Sequence, residues 1–201
     1  MGGELSGFLG WDRAMFVAIN KTLANGFLDA LMPLFSDFSI WLIPLCIVWL
    51  YFFIRTNRNG RLVAIGCFLV MVCTDQVSDA ILKPAVARQR PCNVLPSVHY
   101  YDENGNWLTT DKFALTTYKP SFSFPSSHAA NIAGQATYWS YFYPHLSPVM
   151  IFVAVGVGYS RVYLGHHYPG DVAVGYLLGV AFALVVGWML RRWVIPTSSN
   201  H

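Results

Sequence analysis

From Phe38 to Ile54 the chain reads F-S-I-W-L-I-P-L-C-I-V-W-L-Y-F-F-I without one charged side chain. That run sits at the roughly 17-residue lower limit for a helix crossing a bilayer, where a backbone must satisfy its own polar groups as a helix or a closed barrel. Further apolar stretches follow. Of the 201 residues, 55% are hydrophobic and 11% charged, against about 25% charged in soluble domains, and the mean hydropathy is +0.43. The expected fold class is all-α: a polytopic transmembrane helical bundle, five to six membrane helices in a single domain over 1–201. The net charge of +3 is small and its cations are scattered, which does not suit nucleic acid. Cys46, Cys67, Cys73 and Cys92 lack metal-ligand spacing, and the first three lie in apolar runs. They read as small hydrophobes.

Met1–Gly10 lacks the basic start, apolar core and cleavage site of a signal peptide. Between Phe8 and Phe35 apolar residues alternate with Asp12, Arg13, Asn20, Lys21 and Asp29, the pattern of an N-terminal amphipathic segment lying in the interface; a tilted sixth span is the competing reading. After Ile54 comes R-T-N-R-N-G-R, three arginines with no acid, which the positive-inside rule assigns to the cytoplasm. The remaining spans are expected over 62–82, 128–143, 149–164 and 171–190. Asp75, Asp79 and Lys83 share one face of the second span at four-residue spacing, so Asp79 is expected to hold Lys83. Residues 92–124 form a long polar loop or lid, in which Asn104-Gly105 between aromatic positions predicts a hairpin. Ser126 is the expected N-cap of the next helix. Gly175, Gly179, Ala183 and Gly187 make a small-residue stripe on the last one.

Three polar islands interrupt the apolar runs: Lys83–Pro91 (K-P-A-V-A-R-Q-R-P), Pro125–His128 (P-S-S-H) and Ser160–Asp171 (S-R-V-Y-L-G-H-H-Y-P-G-D). The expected crossings put Lys83, Arg90, His128, Arg161, His167 and Asp171 at helix ends on one side, opposite the arginine loop. Three permanent cations beside a helix N-terminus suit a tetrahedral dianion. Two histidines supply a nucleophile and a proton donor. An aspartate supplies the partner that orients one imidazole.

In order and spacing, K-x6-R-P, P-S-S-H and S-R-x5-H-x3-D resemble the three signature motifs of the type 2 phosphatidic acid phosphatase (PAP2) superfamily. The resemblance implies that His167 attacks phosphorus and that Asp171 hydrogen-bonds the other ring nitrogen. His128 then serves the leaving group and the water. Lys83, Arg90 and Arg161 hold the phosphoryl oxygens, with Ser126 and the amides of Ser127 and His128 assisting. The motif's usual glycine is Ser127 here; its amide still donates, but its side chain narrows the pocket. No metal or other cofactor is expected: a zinc site of His128, His166 and His167 is opposed by the three cations beside it. Expected partners are membrane lipids and a lipid phosphate or pyrophosphate: undecaprenyl pyrophosphate, phosphatidylglycerophosphate, phosphatidate or a lipid A phosphate. The expected place of action is the outer face of a bacterial cytoplasmic membrane. Two other functions compete, a lipid-phosphate binding or transport protein without turnover and, less well matched, vanadate-dependent haloperoxidase chemistry. Neither His166 nor Arg88 has a role fixed by the motifs.

Overall fold

The computed structural model describes residues 2–111 and 119–194. Residues 112–118 of the expected loop lie outside them. Nine α-helices and one hairpin make up the described chain: α1 Gly2–Val17, α2 Gly26–Ser36, α3 Phe38–Arg55, α4 Arg58–Asp75, α5 Lys83–Val86, α6 Pro91–Val94, α7 Ser127–Phe142, α8 Ser147–Tyr163 and α9 Pro169–Met189. Wide i→i+5 turns carry α4 on through Leu82 into α5. The hairpin pairs β1 His99–Tyr101 with β2 Trp107–Thr109, antiparallel. Its turn holds Gly105 at φ +84°, a conformation an L side chain resists, so the Asn-Gly signal was read correctly.

Side-chain caps start several helices at the expected kinds of residue. Asn25 accepts from Leu28 N at the head of α2, Asp37 from Ser39 N at α3, and Asn57 from Gly60 N at α4. Ser126 accepts from Ala129 N at α7, as the sequence suggested. Each occupies a helical donor that has no partner within its own helix.

The centre of the bundle is α7 packed along α9. A Cβ added at Gly179 would stand 2.1 Å from Ala130 O and 2.7 Å from Gly134 N. Only a missing side chain lets these backbones approach so closely. On its other faces α7 meets α4 through polar bonds. Asn131 Nδ2 donates to Asp75, Gln135 Nε2 to Cys67 O, and Tyr138 OH to Val63 O.

Three helical stretches among the described residues are long and apolar enough to cross a membrane: 58–94, 144–163 and 169–193. A fourth arises if α2 and α3, which meet at a 50° bend, form one broken span. The expected five to six helices are thus not all met by length and hydropathy alone. With 16 residues, α7 rises about 24 Å at 1.5 Å per residue, short of a bilayer core of about 30 Å. Its Asn131, Gln135 and Tyr138 find their partners inside the bundle.

The N-terminal segment differs from the interfacial reading. Asp12 and Asn20 are fully buried. Asn20 Nδ2 donates to His99 O and Tyr163 O, both at 2.7 Å, and its Oδ1 accepts from His99 N. Asp29 takes bonds from His99 Nε2 and Tyr163 OH. Polar residues that looked water-facing pin this segment to the hairpin and to the end of α8.

Candidate active site

Beyond α8 the chain turns at Gly165, φ +79°, and curls back so that His166 N and His167 N both donate to Arg161 O, at 3.3 and 3.1 Å. Both imidazoles are thereby drawn inside, His167 being 2% exposed. Its Nδ1 lies 2.8 Å from Ser123 O. A carbonyl only accepts, so Nδ1 carries the proton and Nε2 keeps its lone pair. Arg90 Nη1 donates to that lone pair at 3.0 Å. His166 is fixed in the opposite tautomer: Nε2 donates to Tyr101 O at 3.0 Å and Nδ1 accepts from Arg161 Nη2 at 2.7 Å.

Asp171 does point inward, fully buried at the head of α9, but it does not bond the imidazole directly. Its Oδ2 stands 3.8 Å from His167 Nδ1, beyond hydrogen-bond range. Its oxygens are engaged by Arg88 Nη1 at 2.6 Å, Tyr168 N at 2.9 Å and Ser123 Oγ. The ring nitrogen that the resemblance gave to Asp171 belongs to the main chain of Ser123. That serine is the residue joining the two groups.

The cations gather around this ring. Arg90, 3% exposed, is held by Ser121 O at 2.8 Å, Ser121 Oγ at 2.9 Å and His166 O at 3.0 Å. Arg161, 5% exposed, has a buried Nε with no hydrogen-bond partner among the described residues. A buried guanidinium donor without a partner costs on the order of 1–3 kcal/mol or more. Lys83 bonds Asp79, as expected. Ser127 Oγ donates to the same carboxylate at 2.7 Å and accepts from Ser78 Oγ, so the side chain in place of the usual glycine ties motif two to motif one. Ser126 is fully buried; its N donates to Asp171 O and its Oγ caps α7. It braces the site. His128 is exposed, and no side chain hydrogen-bonds its ring among the described residues.

Burial, then the charges of Arg90, Arg161, His128 and Lys83, holds the His167 pKa well below the usual histidine value. One ring therefore feels all three motifs. His166 is pushed down likewise, by burial and then by Arg161 and Lys119. Among the described residues no group of three His, Cys, Asp or Glu side chains is placed to hold a metal ion.

Sequence reading did not find Ser121, Ser123 or Asp12. The serines act partly through main-chain oxygens, which any residue carries. Asp12 Oδ2 accepts from Arg88 Nη2 and its Oδ1 from Gly170 N, at 2.6 and 2.7 Å. The alternation of apolar and polar residues between Phe8 and Phe35 gave no hint of that burial. Lys119 was also missed, its backbone clamped in both directions by the Asn93 side chain.

Fold and site together define a helical membrane bundle with a buried cluster of cations and histidines at one end. The PAP2 superfamily model matches residues 64–195, and the chain belongs to that superfamily. It is 30% identical to a lipid A 4'-phosphatase of Bacteroides thetaiotaomicron over 76% of this chain and 65% of that protein; the chain thus spans just under two thirds of that relative's length. It is 31% identical to an undecaprenyl-diphosphatase of Sulfolobus acidocaldarius, over 89% of this chain and 77% of that protein. Among solved structures it resembles the transmembrane PAP2-type phosphatidylglycerolphosphate phosphatase of Bacillus subtilis, with TM-score 0.67 and 27% identity. The match covers 94% of this chain and 90% of the other.

Proposed function

We propose that the protein is a membrane lipid phosphate or pyrophosphate phosphatase working through a phosphohistidine on His167. The observation that carries this reading is the His167 ring itself. Its Nδ1 proton is committed to Ser123 O, its Nε2 lone pair faces the guanidinium of Arg90, and the idle Nε of Arg161 lies in the same buried cluster. A protein that only bound the anion would need the cations, but not a ring locked in the nucleophilic tautomer.

In this mechanism a phosphoryl oxygen takes over the Arg90 donor, Arg161 Nε and Lys83 hold the others, and Nε2 bonds to phosphorus as the P–O bond to the leaving group breaks. His128, whose ring no side chain hydrogen-bonds among the described residues, gives its proton to the leaving oxygen. It then takes a proton from the water that attacks the phosphohistidine, and inorganic phosphate leaves. For a diphosphate the leaving group is the lipid monophosphate. The chemistry needs positioning and charge more than covalent assistance, and the side chains present supply both without calling on a metal.

The bundle would cross the membrane five times, by the broken α2–α3 pair, by α4 with its extension, and by α7, α8 and α9. Arg55, Arg58 and Arg61 lie at the far end of α4 from Lys83, and Arg191 lies over Tyr141 near the far end of α7. The positive-inside rule then favours the outer face of a cytoplasmic membrane for the site. An acyl or prenyl chain stays in lipid while its headgroup reaches the cations. Lipid A phosphate, undecaprenyl diphosphate, phosphatidylglycerophosphate and phosphatidate form the candidate set.

The test is phosphate release from these lipids in detergent with EDTA present, comparing native protein with His167→Ala and with added vanadate. Release without metal, lost in the variant and blocked by vanadate, is the expected result. Release that survives His167→Ala, or that needs a divalent ion, overturns the mechanism.

A further inference from the structure

Two arginines stand two residues apart in the first motif, and they face different partners. Arg90 faces the His167 lone pair. Arg88 turns to the carboxylates beneath the ring, with Nη1 on Asp171 and Nη2 on Asp12, each at 2.6 Å. Both carboxylates are fully buried, and the guanidinium lies 3.9 Å from the centre of the Tyr168 ring. The turn is made at Ala87, which adopts left-handed backbone, φ 50°, at the end of α5. That conformation costs an alanine about 1–2 kcal/mol. It reverses the chain after Lys83 and sends Arg88 inward.

The main chain of Arg88 matters as much as its side chain. Arg88 O accepts from Ser123 N at 2.7 Å, Ser123 Oγ bonds the Asp171 carboxylate that Arg88 holds, and Ser123 O accepts the His167 proton. The circuit is closed: Arg88 grips Ser123 from one side by its backbone and from the other through Asp171. Asp12 anchors the arginine in turn, and its second oxygen binds Gly170 N at the start of α9. Asp12 lies on α1, outside the residues 64–195 that match the family.

We propose that Arg88 is a positioning residue for the nucleophile, setting the His167 ring through Asp171 and Ser123, and that Asp12 of the N-terminal helix holds Arg88 in that role. Its guanidinium is taken up by two buried carboxylates and a ring face, so it does not bind the phosphoryl group. The inference rests on His167 being the nucleophile.

The experiment measures kcat and KM for Arg88→Gln, Arg88→Lys, Asp12→Asn and His167→Ala in detergent, on phosphatidate and on p-nitrophenyl phosphate, whose leaving group needs no proton. A nucleophile displaced by about 1 Å loses on the order of 100-fold in rate. Arg88→Gln is therefore expected to lower kcat by about 30- to 100-fold on both substrates with KM within about threefold. Arg88→Lys should recover part of the loss, and Arg88→Gln should add nothing further in a His167→Ala background. A raised KM with kcat retained makes Arg88 a substrate contact and overturns the proposal. So does a loss confined to phosphatidate, which would place the defect at proton donation. If Arg88→Gln does not accumulate folded, Asp12→Asn decides alone, since it keeps an oxygen for Gly170 and puts an amide NH2, which cannot accept, where the carboxylate oxygen faced Arg88. In the folded protein, a kcat fall of about three- to tenfold with KM within about threefold supports the proposal even where the melting temperature is lower, and an unchanged kcat overturns it. Native turnover in His167→Ala is a separate outcome that removes the nucleophile assignment itself.

Discussion

His167 gives its Nδ1 proton to the main-chain oxygen of Ser123, 2.8 Å away. The acceptor is neutral and belongs to the backbone, so it fixes the ring's tautomer and direction without adding a full negative charge against it. The Asp171 charge lies one step further off, shared among Arg88, Ser123 and Tyr168 N. The ring is thus oriented by a carbonyl and surrounded by cations.

The pH dependence follows. Burial first, and then Arg90 and Arg161, lowers the His167 pKa well below the ordinary value. A lowered histidine pKa means the neutral, nucleophilic ring persists as pH falls, and protonation removes it only beyond the shifted value. The acid limb of kcat/KM, corrected for ionisation of the substrate, is therefore expected clearly below about 6.5, the pKa of a free histidine. A limb at that ordinary value would show a ring exposed to water and unpressed by the arginines.

Asp171→Asn and Ser123→Ala should separate. The first leaves the Arg88 guanidinium facing only Asp12, and breaking a buried pair from one side costs about 3–5 kcal/mol. The second removes one hydroxyl bond to a carboxylate, worth about 1.5–3 kcal/mol, and keeps the carbonyl that holds His167. Thermal unfolding in detergent should show a large fall for Asp171→Asn and a smaller one for Ser123→Ala. The serine variant should keep a measurable share of turnover. Equal losses in both would mean that the Asp171 carboxylate matters only through Ser123 Oγ.

The residues proposed for the chemistry, Lys83, Arg90, His128, Arg161, His167 and Asp171, stood out in the sequence because they are polar types stranded between apolar runs, where an ionisable group points to a site. Ser126 and the Asn104-Gly105 turn were legible because their roles are local, set by a cap and a dihedral angle. Ser123 was hidden because its main contribution is a backbone oxygen. Asp12 and Asn20 were hidden for another reason. Alternating polarity reports that a helix has two faces, not which face meets water, and their partners Arg88, Gly170, His99 and Tyr163 lie 76 to 158 residues away in sequence. The 16 residues of α7 passed as a span on the sequence pattern because its ends are clear; its length becomes a constraint only when the rise is counted.

The α7–α9 contact predicts unequal behaviour of two glycines. A Cβ at Gly179 would meet backbone atoms of Ala130 and Gly134, which cannot rotate aside, whereas one at Gly26 meets nothing within 4 Å. Gly179→Ala is expected to force the two central helices apart and lower stability by about 1–3 kcal/mol, the usual cost of overpacking, with loss of turnover because the ends of α7 and α9 carry His128 and Asp171. Gly26→Ala should stay within about 0.5 kcal/mol of native. Equal melting temperatures for the two variants would mean that the helices are not in contact at Gly179.

Asn20 provides the test of how the N-terminal segment is held. Its amide and carbonyl satisfy His99 O, Tyr163 O and His99 N, joining the turn after α1 to the hairpin and to the last residue of α8. Asn20→Leu is close in size but leaves the buried Tyr163 O and the part-buried His99 O and N each short of a partner, at about 1–3 kcal/mol for the buried one and less for the others. A helix merely resting on the membrane surface would gain affinity from the same change, since leucine partitions into lipid and asparagine does not. The two arrangements therefore predict opposite signs. Limited proteolysis in detergent micelles should find the segment before Gly26 cut faster in Asn20→Leu than in the native protein, and thermal unfolding should begin lower by several degrees. Because the hairpin and the end of α8 also carry Tyr101 and Arg161, the contacts of His166, turnover should fall along with stability. Slower cleavage and a higher unfolding temperature would return the segment to the interface.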